Sequence, residues 1–471
     1  MYCIADLAGT GKSTVAFTIA EEWRAEQCFD FFFSNDSTHT AQTLCVSLAK
    51  QIIGSCYGLK WDEHCAKLSS QLSSPPAQSV ENMWNKLVYE PLGTCGIHER
   101  HVIVVDALDQ CDQETRGQLL KCLLYSSISK PYRMRLPLTS LPRIRLLLTT
   151  RKEDDIRGIL EMNAFHDAIT YRSLRDSEAT RPDVARYIDY RLKEAKVGFE
   201  TTQREQLVDR CNGLFIFASL ACDLLQRECA EDQSLRLYDM LEEFTSLDAL
   251  YHRTLSQVAN SSKYARAQLM DILRVIVVAR EPLSISTIAA LLSVDVNTVN
   301  TTVKKLGSIL GSGAIDQAVY ILHVTFKEFL RKGWTERKTD PTTGGEEIQN
   351  QYYINKEDGE RAMLRGCLSN VMAHGLVFNI CSFETSFLMN KEVIDMDDRI
   401  RRRITDALHY SCLNWTNHLK SIASDPEVLG WLEEFTSNQF LSWLEVLSVT
   451  KCVRFASEML AVLIEWMRVS L

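Results

Sequence analysis

The stretch ADLAGTGKST at residues 5–14 restricts the possible folds more than any other part of the chain. It matches most of the phosphate-binding pattern G-x-x-x-x-G-K-[ST], which joins a buried strand to a helix. Gly9 and Gly11 would let backbone N–H groups approach phosphate oxygens at a helix N-terminus, where the helix dipole favours negative charge. Lys12 would reach the outer phosphates, and the Ser13 hydroxyl would take one position on Mg²⁺.

The rest of this loop contains one departure from the pattern. Thr10 and Thr14 extend the predicted nucleotide-binding stretch, but Asp6 occupies the position of the first glycine. Aspartate tolerates left-handed backbone better than most residues, so the turn can survive. A carboxylate near phosphates would nevertheless weaken binding by like-charge repulsion. A glycine-rich turn that only caps a helix is therefore the alternative interpretation.

The composition is that of an ordinary globular chain, with 46% hydrophobic and 24% charged residues over 471 positions. This length suits about two to four domains. The formal charge of −9 and the lack of a basic stripe with interleaved aromatics predict no nucleic-acid partner. The run DDRIRRRI at residues 397–404 is the nearest approach to a basic patch. Its own acids offset it, which favours a solvated helix face over a phosphate-backbone site.

The cysteine pattern and the short apolar runs predict where in the cell the protein is found. Fifteen cysteines are scattered without a C-x-x-C pair, and no His/Cys cluster has metal-ligand spacing. We interpret them as reduced, mostly buried thiols and predict a cytoplasmic protein. No run approaches the ~18 apolar residues that cross a bilayer, so we expect no membrane partner. The apolar stretch at residues 459–471 fits an amphipathic packing helix.

Strand-like runs alternate with helical periodicity through residue 175. Strands are predicted at residues 2–5, 28–34, 102–106, 143–151 and, more weakly, 167–174. Consecutive branched apolar residues, as in HVIVVD, are typical of a parallel strand buried on both faces. The alternation predicts an α/β fold with a doubly wound parallel sheet, whose ligands bind at the carboxyl ends of the strands.

Beyond residue 175 the β character fades, and four further regions are predicted. Helical periodicity is interrupted at Gly213, and the order helix, turn at Pro282, helix, helix, strand is typical of a winged-helix domain. The regions are a small helical domain at 176–262, a winged-helix domain at 263–332, a polar linker or surface loop at 333–360, and an all-helical C-terminal region at 361–471.

Three charged residues follow two of the predicted strands. Asp106 closes a buried strand, where its carboxylate could hold Mg²⁺ opposite Ser13. Asp109 could orient a hydrolytic water or stabilise the metal shell. Arg151 lies just beyond its strand, where its charge could contact a γ-phosphate. The alternatives are a strand that ends in a solvated turn and a surface arginine. His323, on an apolar stretch, would by itself more often be a satisfied core histidine than a ligand.

The order of seven motifs resembles the fungal NACHT-domain proteins of the signal-transduction NTPase class, whose P-loop region is described as nephrocystin-3-like. In chain order the motifs are AGTGKST, VVDALDQCD, LLLTTR, GLFIFASLAC, LDALYHRTL, REPLSISTIAALL and LHVTFKEFL. The resemblance runs from the first residues to about residue 420. It implies a NACHT P-loop NTPase domain at 1–175 that binds ATP or GTP with Mg²⁺, and ADP or GDP in the resting state.

The resemblance implies roles for residues after the strands. Asp106 matches the family's Mg²⁺ aspartate, Ala107 its small neighbour, and Asp109 the acid three places on. The next position, which is commonly acidic in the family, holds Gln110, and this implies slower hydrolysis. Arg151 matches the sensor arginine of the family's TSR-like element.

Two positions of the predicted winged-helix domain are implied to contact nucleotide. Pro282 matches the proline that packs near the base, and His323 matches the histidine that touches the β-phosphate of a bound diphosphate. Family members usually also carry an N-terminal effector region and C-terminal repeats such as WD or ankyrin units. We therefore expect a bare switch core, truncated at both ends relative to typical members. The implied partners are nucleotide, further copies of the chain on activation, and an unidentified signalling protein.

The resulting hypothesis is a regulatory nucleotide switch in which slow hydrolysis is coupled to conformational change and self-assembly. As an enzyme it would be at most a slow nucleoside triphosphatase. A degenerate scaffold that no longer binds nucleotide is one alternative, suggested by Asp6 and Gln110. A P-loop turnover enzyme such as a kinase or hydrolase is the other, although the sequence offers no second-substrate site.

Overall fold

The computed structural model of the chain describes residues 1–24, 28–34, 40–55, 79–94, 100–127, 143–162, 165, 168–194, 200–228, 242–260, 264–337, 347–385 and 387–470. These residues form two compact units, Met1–Glu243 and Phe244–Leu471. Within these ranges no helix is both long enough and apolar enough to cross a membrane. The described cysteines are free thiols, and most of them are buried.

A five-stranded parallel sheet forms the centre of the first unit. Its strands are β1 (Tyr2–Ala5), β2 (Cys28–Phe32), β3 (Arg100–Asp106), β4 (Arg143–Thr150) and β5 (Thr170–Arg172). Their order across the sheet is β2-β3-β4-β1-β5, and every neighbouring pair is parallel. The register sets Ala5 beside Thr150 and Phe32 beside Asp106. The carboxyl ends of β1, β3 and β4 therefore meet at one edge of the sheet.

Strand β3 shows why the sheet is covered on both faces. Ile103 and Val105 belong to the core on one face, whereas Val102 and Val104 belong to the core on the other. This division follows from the period of two along a strand, which sends successive side chains to opposite faces. Helix α1 (Lys12–Glu22) covers the second face. The predicted doubly wound α/β fold is confirmed.

The remaining helices of the first unit lie between and after these strands. They are α2 (Ala41–Ser55), α3 (Val80–Trp84), α4 (Glu90–Thr94), α5 (Gln113–Ser127), α6 (Asp154–Leu160), α7 (Thr180–Glu194), α8 (Thr201–Cys211) and α9 (Phe215–Glu228), with a π-helical stretch at Asn85–Tyr89 and a 3-10 turn at Leu108–Gln110. The predicted break at Gly213 lies between α8 and α9, where Asn212 and Gly213 both have positive φ. Left-handed backbone of this kind is a common way to end a helix.

The second unit is mainly helical. Its helices are α10 (Leu247–Ala259), α11 (Ala265–Val278), α12 (Ile285–Leu292), α13 (Val296–Lys305), α14 (Val324–Arg331), α15 (Lys356–Arg365), α16 (Ala373–Gly375), α17 (Met396–Arg403), α18 (Asp406–Leu419), α19 (Pro426–Asn438), α20 (Phe440–Val449) and α21 (Ala456–Ser470). A π-helical stretch at Gly366–Met372 and 3-10 turns at Asn390–Glu392 and Val453–Phe455 join some of them. The basic run predicted as a solvated face lies on α17, where Arg399 pairs with Glu384 and Asp395.

A small sheet accompanies helices α11 to α13. Its strands are β6 (Leu283–Ser284), β7 (Leu310–Gly311) and β8 (Ala318–Ile321), and β8 pairs antiparallel with both of the others. The chain order is helix, strand, helix, helix and hairpin. The sequence predicted the helices, the turn at Pro282 and one strand, but not β6 or β7. The assignment to the winged-helix class remains a prediction.

The segment predicted as a linker contains regular structure at its described ends. Strands β9 (Trp334–Arg337) and β10 (Glu347–Gln349) pair antiparallel, and helix α15 begins within the segment. A hairpin pairs its backbone groups whatever the side chains, so polar composition did not reveal it. Residues 338–346 lie outside the described ranges. The division at Glu243 falls inside the predicted helical domain at 176–262, and the predicted domain boundaries remain predictions.

Candidate nucleotide-binding site

The glycine-rich loop runs from the end of β1 to the start of α1, as the sequence predicted. Gly9 and Gly11 have φ of 87° and 91°, in the region that favours glycine. Gly11 is the N-cap of α1 and has no side-chain oxygen that could cap the helix. The first N–H groups of a helix have no partner within the helix, so this arrangement leaves them to an anion. Thr14 lies exposed in the first turn of α1.

Lys12 is folded back against its own loop. Its Nζ donates to the backbone O of Asp6 at 3.0 Å and to that of Leu7 at 2.6 Å. The Thr10 hydroxyl also donates to the Leu7 carbonyl, at 3.1 Å. Burial lowers the pKa of Lys12, while the nearby carboxylates of Asp109, Asp6 and Asp106 oppose this shift. The Lys12 ammonium is desolvated and donates to two neutral carbonyls. Since hydrogen bonds to an anion are stronger, it can exchange these carbonyls for a phosphate.

Asp106 and Ser13 are brought together at the carboxyl edge of the sheet. The Ser13 hydroxyl lies close enough to the Asp106 carboxylate to favour its ionised form, and the Thr149 hydroxyl donates a hydrogen bond to the same carboxylate. Only 3% of Asp106 is exposed, and burial raises the pKa of its carboxyl while the two hydroxyls and Lys12 oppose the rise. Thr149 also accepts the N–H of Ala107 at 2.9 Å, where φ is 54°. Sequence reasoning missed Thr149, although it lies in the quoted LLLTTR motif.

The two predicted catalytic residues are paired with each other. The backbone N–H of Arg151 donates to Asp109 Oδ1 at 3.0 Å, and Arg151 Nε lies 3.3 Å from Asp109 Oδ2. Arg116, which the sequence reasoning missed, donates from Nη1 to the Asp109 carbonyl at 2.7 Å. Its other guanidinium nitrogens, Nε and Nη2, reach Asp155 Oδ2 at 3.0 and 2.6 Å. The buried Arg116 therefore holds the turn that carries Asp109 against helix α6.

The Asp6 carboxylate makes three hydrogen bonds. Oδ1 accepts the N–H of Leu7 at 2.8 Å, and Oδ2 accepts the Ser173 hydroxyl at 2.8 Å and the N–H of Arg175 at 2.7 Å. Burial alone would raise the pKa of Asp6, but these donors and the charge of Lys152 outweigh it and lower the pKa. The carboxylate is therefore held ionised by partners outside the glycine stretch.

The start of helix α9 contacts the loop, which the sequence reasoning did not foresee. The N–H of Ile216 donates to the Gly9 carbonyl at 3.3 Å. A Cβ added at Gly11 would lie 3.6 Å from the ring of Phe215. The signal was present in the GLFIFASLAC motif, which the resemblance included without a structural role. The first unit thus surrounds the loop with parts of both its sheet and its helices.

The other two predicted contacts, Pro282 and His323, belong to the second unit. Pro282 is exposed there, ahead of β6. His323 is the N-cap of α14, and its Nδ1 accepts the N–H of Thr325 at 3.3 Å. The Thr325 hydroxyl contacts His323 Nδ1 and also lies 2.8 Å from the Tyr251 hydroxyl. Within its own unit His323 therefore has a capping role, and its predicted contact with a phosphate remains a prediction.

The donor set fits Mg²⁺ better than a transition metal. Among the residues described, no group of three or more His, Cys, Asp or Glu side chains could hold a metal ion. Ser13 and Asp106 supply hard oxygen ligands in one place, and Mg²⁺ is usually bound by one or two such side chains together with substrate phosphates. The buried Asp106, with two hydroxyls around it, is suited to hold the ion or its waters.

Comparisons with known proteins give one match to a protein family. Residues 1–151 match the family model described as Nephrocystin 3, N-terminal. This match covers the glycine-rich loop, Asp106, Asp109 and Arg151. No curated protein sequence matches the chain.

Three of the solved structures that match the chain are as follows. A signal transduction ATPase with numerous domains (STAND) and a tetratricopeptide repeat sensor, from Pyrococcus horikoshii, is 10% identical with a TM-score of 0.44, covering 99% of this chain and 55% of that one. This chain thus spans about half the length of that protein. A Walker-type ATPase of Pyrococcus abyssi is 14% identical with a TM-score of 0.34, covering 70% and 91%. The ORC2 protein of Aeropyrum pernix, in ADPNP–ADP complexes, is 13% identical with a TM-score of 0.33, covering 68% and 82%.

Scores this low carry no argument about what the chain binds. The family match, the parallel sheet and the loop geometry are independent of them. Together these three observations support a P-loop NTPase domain of the nephrocystin-3-like kind in the first unit.

Proposed function

We propose that the chain is a nucleotide-dependent regulatory switch of the NACHT type, which binds ATP or GTP with Mg²⁺ through its first unit. The observation that supports this most directly is that the Ser13 hydroxyl and the Lys12 ammonium both lie close enough to the buried Asp106 carboxylate to favour its ionised form. Two residues more than 90 positions apart in the sequence meet where the phosphate-binding pattern requires a shared metal site. The glycine-rich turn that only caps a helix would not need this arrangement.

Each residue has a defined part in the proposed binding. The N–H groups around Gly11 donate to phosphate oxygens at the start of α1, and Lys12 leaves the loop carbonyls to contact the outer phosphates. Bound Mg²⁺ would neutralise phosphate charge and stabilise the charge that develops during hydrolysis. Ser13 and Asp106 are the residues that would hold it. Slow hydrolysis fits a site in which Asp109, the proposed water-orienting acid, is already paired with Arg151.

The proposed switch uses the difference between diphosphate and triphosphate. In the diphosphate state, Pro282 and His323 of the second unit would contact the base and the β-phosphate. In the triphosphate state, Arg151 would engage the γ-phosphate, and the loss of the first set of contacts would allow assembly with further copies of the chain. A ligand shifts such an equilibrium only by its differential affinity for the two states.

Equilibrium binding of labelled ATP and GTP tests the first part of the proposal. The wild-type chain should bind at least one of them in Mg²⁺, and Lys12→Ala should lose most of this affinity. Lys50→Ala, which removes an exposed lysine in the second half of α2, is the matched control and should bind normally. If wild type and Lys12→Ala bind equally, or neither binds, the chain is a scaffold rather than a switch.

The scaffold is the second candidate because of one observation. Lys12 already has two carbonyl partners within its own loop, so the loop is self-satisfied without a phosphate. Mass analysis of nucleotide that co-purifies with the protein distinguishes the two candidates. Retained ADP or GDP supports the switch and identifies its resting state, whereas a protein that is empty and cannot be loaded supports the scaffold.

A further inference from the structure

We infer that Asp6, which stands in place of the loop's first glycine, is a positioning residue that fixes the phosphate-binding loop and couples it to the segment Ser173–Arg175. This inference rests on the proposed nucleotide binding and adds a route by which the bound phosphate acts on the rest of the first unit. The inferred effect of Asp6 on nucleotide affinity is opposite to the one expected from the sequence. A carboxylate at this position would ordinarily repel phosphates and weaken binding.

The backbone at position 6 does not need a glycine. Asp6 is not among the described residues with positive φ, whereas Gly9 and Gly11 are. The positions of this loop that need glycine are therefore 9 and 11. At position 6 an L-residue is unstrained. The position is thus available to a side chain that can make useful contacts.

The Asp6 carboxylate is fully buried, and three donors use its two oxygens. Oδ1 accepts the Leu7 N–H, while Oδ2 accepts both the Ser173 hydroxyl and the Arg175 N–H, all at 2.7–2.8 Å. Hydrogen bonds to an ionised acceptor are stronger than those between neutral groups. Because both oxygens are occupied, the negative charge is directed at these donors, and the nearby cations Lys12 and Lys152 offset it further.

The carboxylate and Lys12 hold the same peptide group from opposite ends. In the peptide between Asp6 and Leu7, the N–H donates to Asp6 Oδ1 and the carbonyl accepts a hydrogen bond from Lys12 Nζ. When Lys12 turns to a phosphate, the carbonyl loses this donor, and the carboxylate remains as the side-chain partner of that peptide. Asp6 therefore still holds the Leu7 N–H at the step when the lysine leaves the loop carbonyls.

The contacts then form a closed path within the first unit. Arg175 lies against Gly213, where an added Cβ would meet Arg175 Cγ at 3.2 Å. Gly213 precedes helix α9, whose Ile216 N–H donates to the carbonyl of Gly9 in the phosphate loop. The loop is thus held at its start by Asp6 and in its middle by Ile216, and both contacts lead to the segment that follows β5. Phosphate binding should therefore tighten that segment.

Nucleotide binding by position-6 variants is the first test, since removal of one charged hydrogen-bond acceptor typically changes an equilibrium by about tenfold. Asp6→Asn, which keeps the shape but places an NH₂ against N–H donors, should weaken binding of Mg-ADP by this amount. Asp6→Gly, which restores the usual motif, should weaken it as well. Ser173→Ala removes only one of the three donors and should give a smaller loss. Inorganic pyrophosphate should lose affinity in parallel with ADP, because the loop contacts only the phosphates.

A neighbouring carboxylate provides the matched control. Asp176 lies 3.8 Å from Lys152 and is largely exposed, so Asp176→Asn removes a similar charge without touching the loop. Its affinity for Mg-ADP should equal that of wild type. Tighter or unchanged binding in Asp6→Asn and Asp6→Gly would overturn the inference, provided that wild type binds and Lys12→Ala does not.

Hydrogen exchange at the Arg175 amide is the second test, and it needs no nucleotide for its first arm. The amide should exchange slowly in wild type and faster in Asp6→Gly, because its acceptor is removed. Added Mg-ADP should slow it further in wild type, by less in Ser173→Ala, and not at all in Asp6→Gly. If Arg175 exchange is unchanged in Asp6→Gly, the inference about Asp6 is overturned, while the proposed nucleotide binding is not affected. A wild type that binds no nucleotide overturns the proposed function, and the coupling with it.

Discussion

Asp109 and Arg151 form an ion pair with each other. This pairing affects the proposed role of Asp109 in hydrolysis and that of Arg151 in contacting a γ-phosphate. The Arg151 side chain is 25% exposed and that of Asp109 is 7% exposed, so the ion pair is partly shielded from water. A γ-phosphate that attracts Arg151 has to compete with this carboxylate. We therefore expect this pair to favour binding of the diphosphate over the triphosphate.

The substitution Asp109→Asn should change nucleotide preference in a direction that a purely catalytic role would not. Asparagine can still accept the Arg151 N–H but no longer pairs with its guanidinium. We expect the affinity for triphosphate to rise relative to diphosphate by about threefold to tenfold, in keeping with a partly exposed ion pair, while hydrolysis slows. Titrations of both nucleotides into each variant give this ratio.

The control for this experiment is Asp154→Asn, an exposed acid at the start of α6. It should leave both affinities unchanged. If Asp109→Asn slows hydrolysis and the affinity ratio does not move, then Arg151 does not exchange between the carboxylate and the phosphate, and Asp109 acts only in catalysis.

Single residues differ in how far the sequence predicts them. Ser13 could be proposed from the phosphate-loop pattern, and Asp106 and Arg151 because they come at the ends of buried strands. Arg116 and Ser173 could not be, since their partners depend on how helices and loops pack after the sheet has formed. The Ser173 hydroxyl meets Asp6 across 167 positions of sequence, and no local pattern encodes such a pair.

At the scale of elements, the junction between the loop and the first helix depends on the glycine at position 11. Gly11 has φ of 91°, and the space beside its Cα is open enough that an added Cβ would meet the Phe215 ring only at 3.6 Å. The obstacle to a side chain is therefore backbone strain rather than a clash. This distinguishes it from helical glycines, where alanine is preferred.

Gly11→Ala should destabilise the first unit by about 1–2 kcal/mol, which is the cost of left-handed backbone for an L-residue. It should also weaken nucleotide binding, because the strain is relieved by moving the loop amides. Gly158→Ala is the matched control within helix α6, where a Cβ would meet no atom within 4 Å. That substitution should stabilise by about 0.5–1 kcal/mol. Chemical denaturation of the two variants gives the opposite signs, and two changes of the same sign would contradict this account.

Elements with strong apolar periodicity were predicted well, and those without it were not. Strands β3 and β4 carry consecutive branched or apolar residues, which only a doubly covered parallel strand requires. Strand β5 was placed at residues 167–174 but has three residues, Thr170–Arg172, because it lies at the edge of the sheet and pairs on one side only. The hairpin of β9 and β10 was assigned to a linker, since polar side chains give no signal of its backbone pairing.

At the scale of the whole molecule, the second unit is stabilised by a buried polar network that joins three of its elements. Arg280 donates from Nη2 to both carboxylate oxygens of Glu360, at 2.9 and 2.8 Å. His418 Nδ1 lies 2.6 Å from Glu360 Oε2, and its Nε2 lies 2.9 Å from the Tyr410 hydroxyl. Tyr410 also accepts the Arg280 N–H at 3.1 Å. The network fixes the turn before β6 to helices α15 and α18.

The geometry of this network favours neutral His418. With Nδ1–H donating to Glu360 and Nε2 accepting from the Tyr410 hydroxyl, both ring nitrogens and the hydroxyl proton are satisfied. Protonation of Nε2 would leave that hydroxyl proton without its acceptor. Burial lowers the pKa of His418, Arg280 adds to this, and the hydrogen bond and charge of Glu360 oppose it. Arg331 is a further cation near Glu360.

The lowered pKa predicts that the second unit loses stability in mild acid. The unfolded chain has His418 at its ordinary pKa of about 6.5, so below that pH the unfolded state binds the proton more readily than the folded state does. The contribution of His418 is therefore complete above pH ~6.5 and declines as the pH falls toward the folded-state pKa, by at most about 1.4 kcal/mol per pH unit. His418→Gln keeps hydrogen-bonding groups but cannot titrate, so its stability should depend less on pH in this window. Urea unfolding followed by tryptophan fluorescence at several pH values between 7.5 and 5.5 compares the two proteins. Parallel pH profiles would show that the folded network accepts the proton as readily as the unfolded chain, and that Glu360 rather than burial determines the charge of His418.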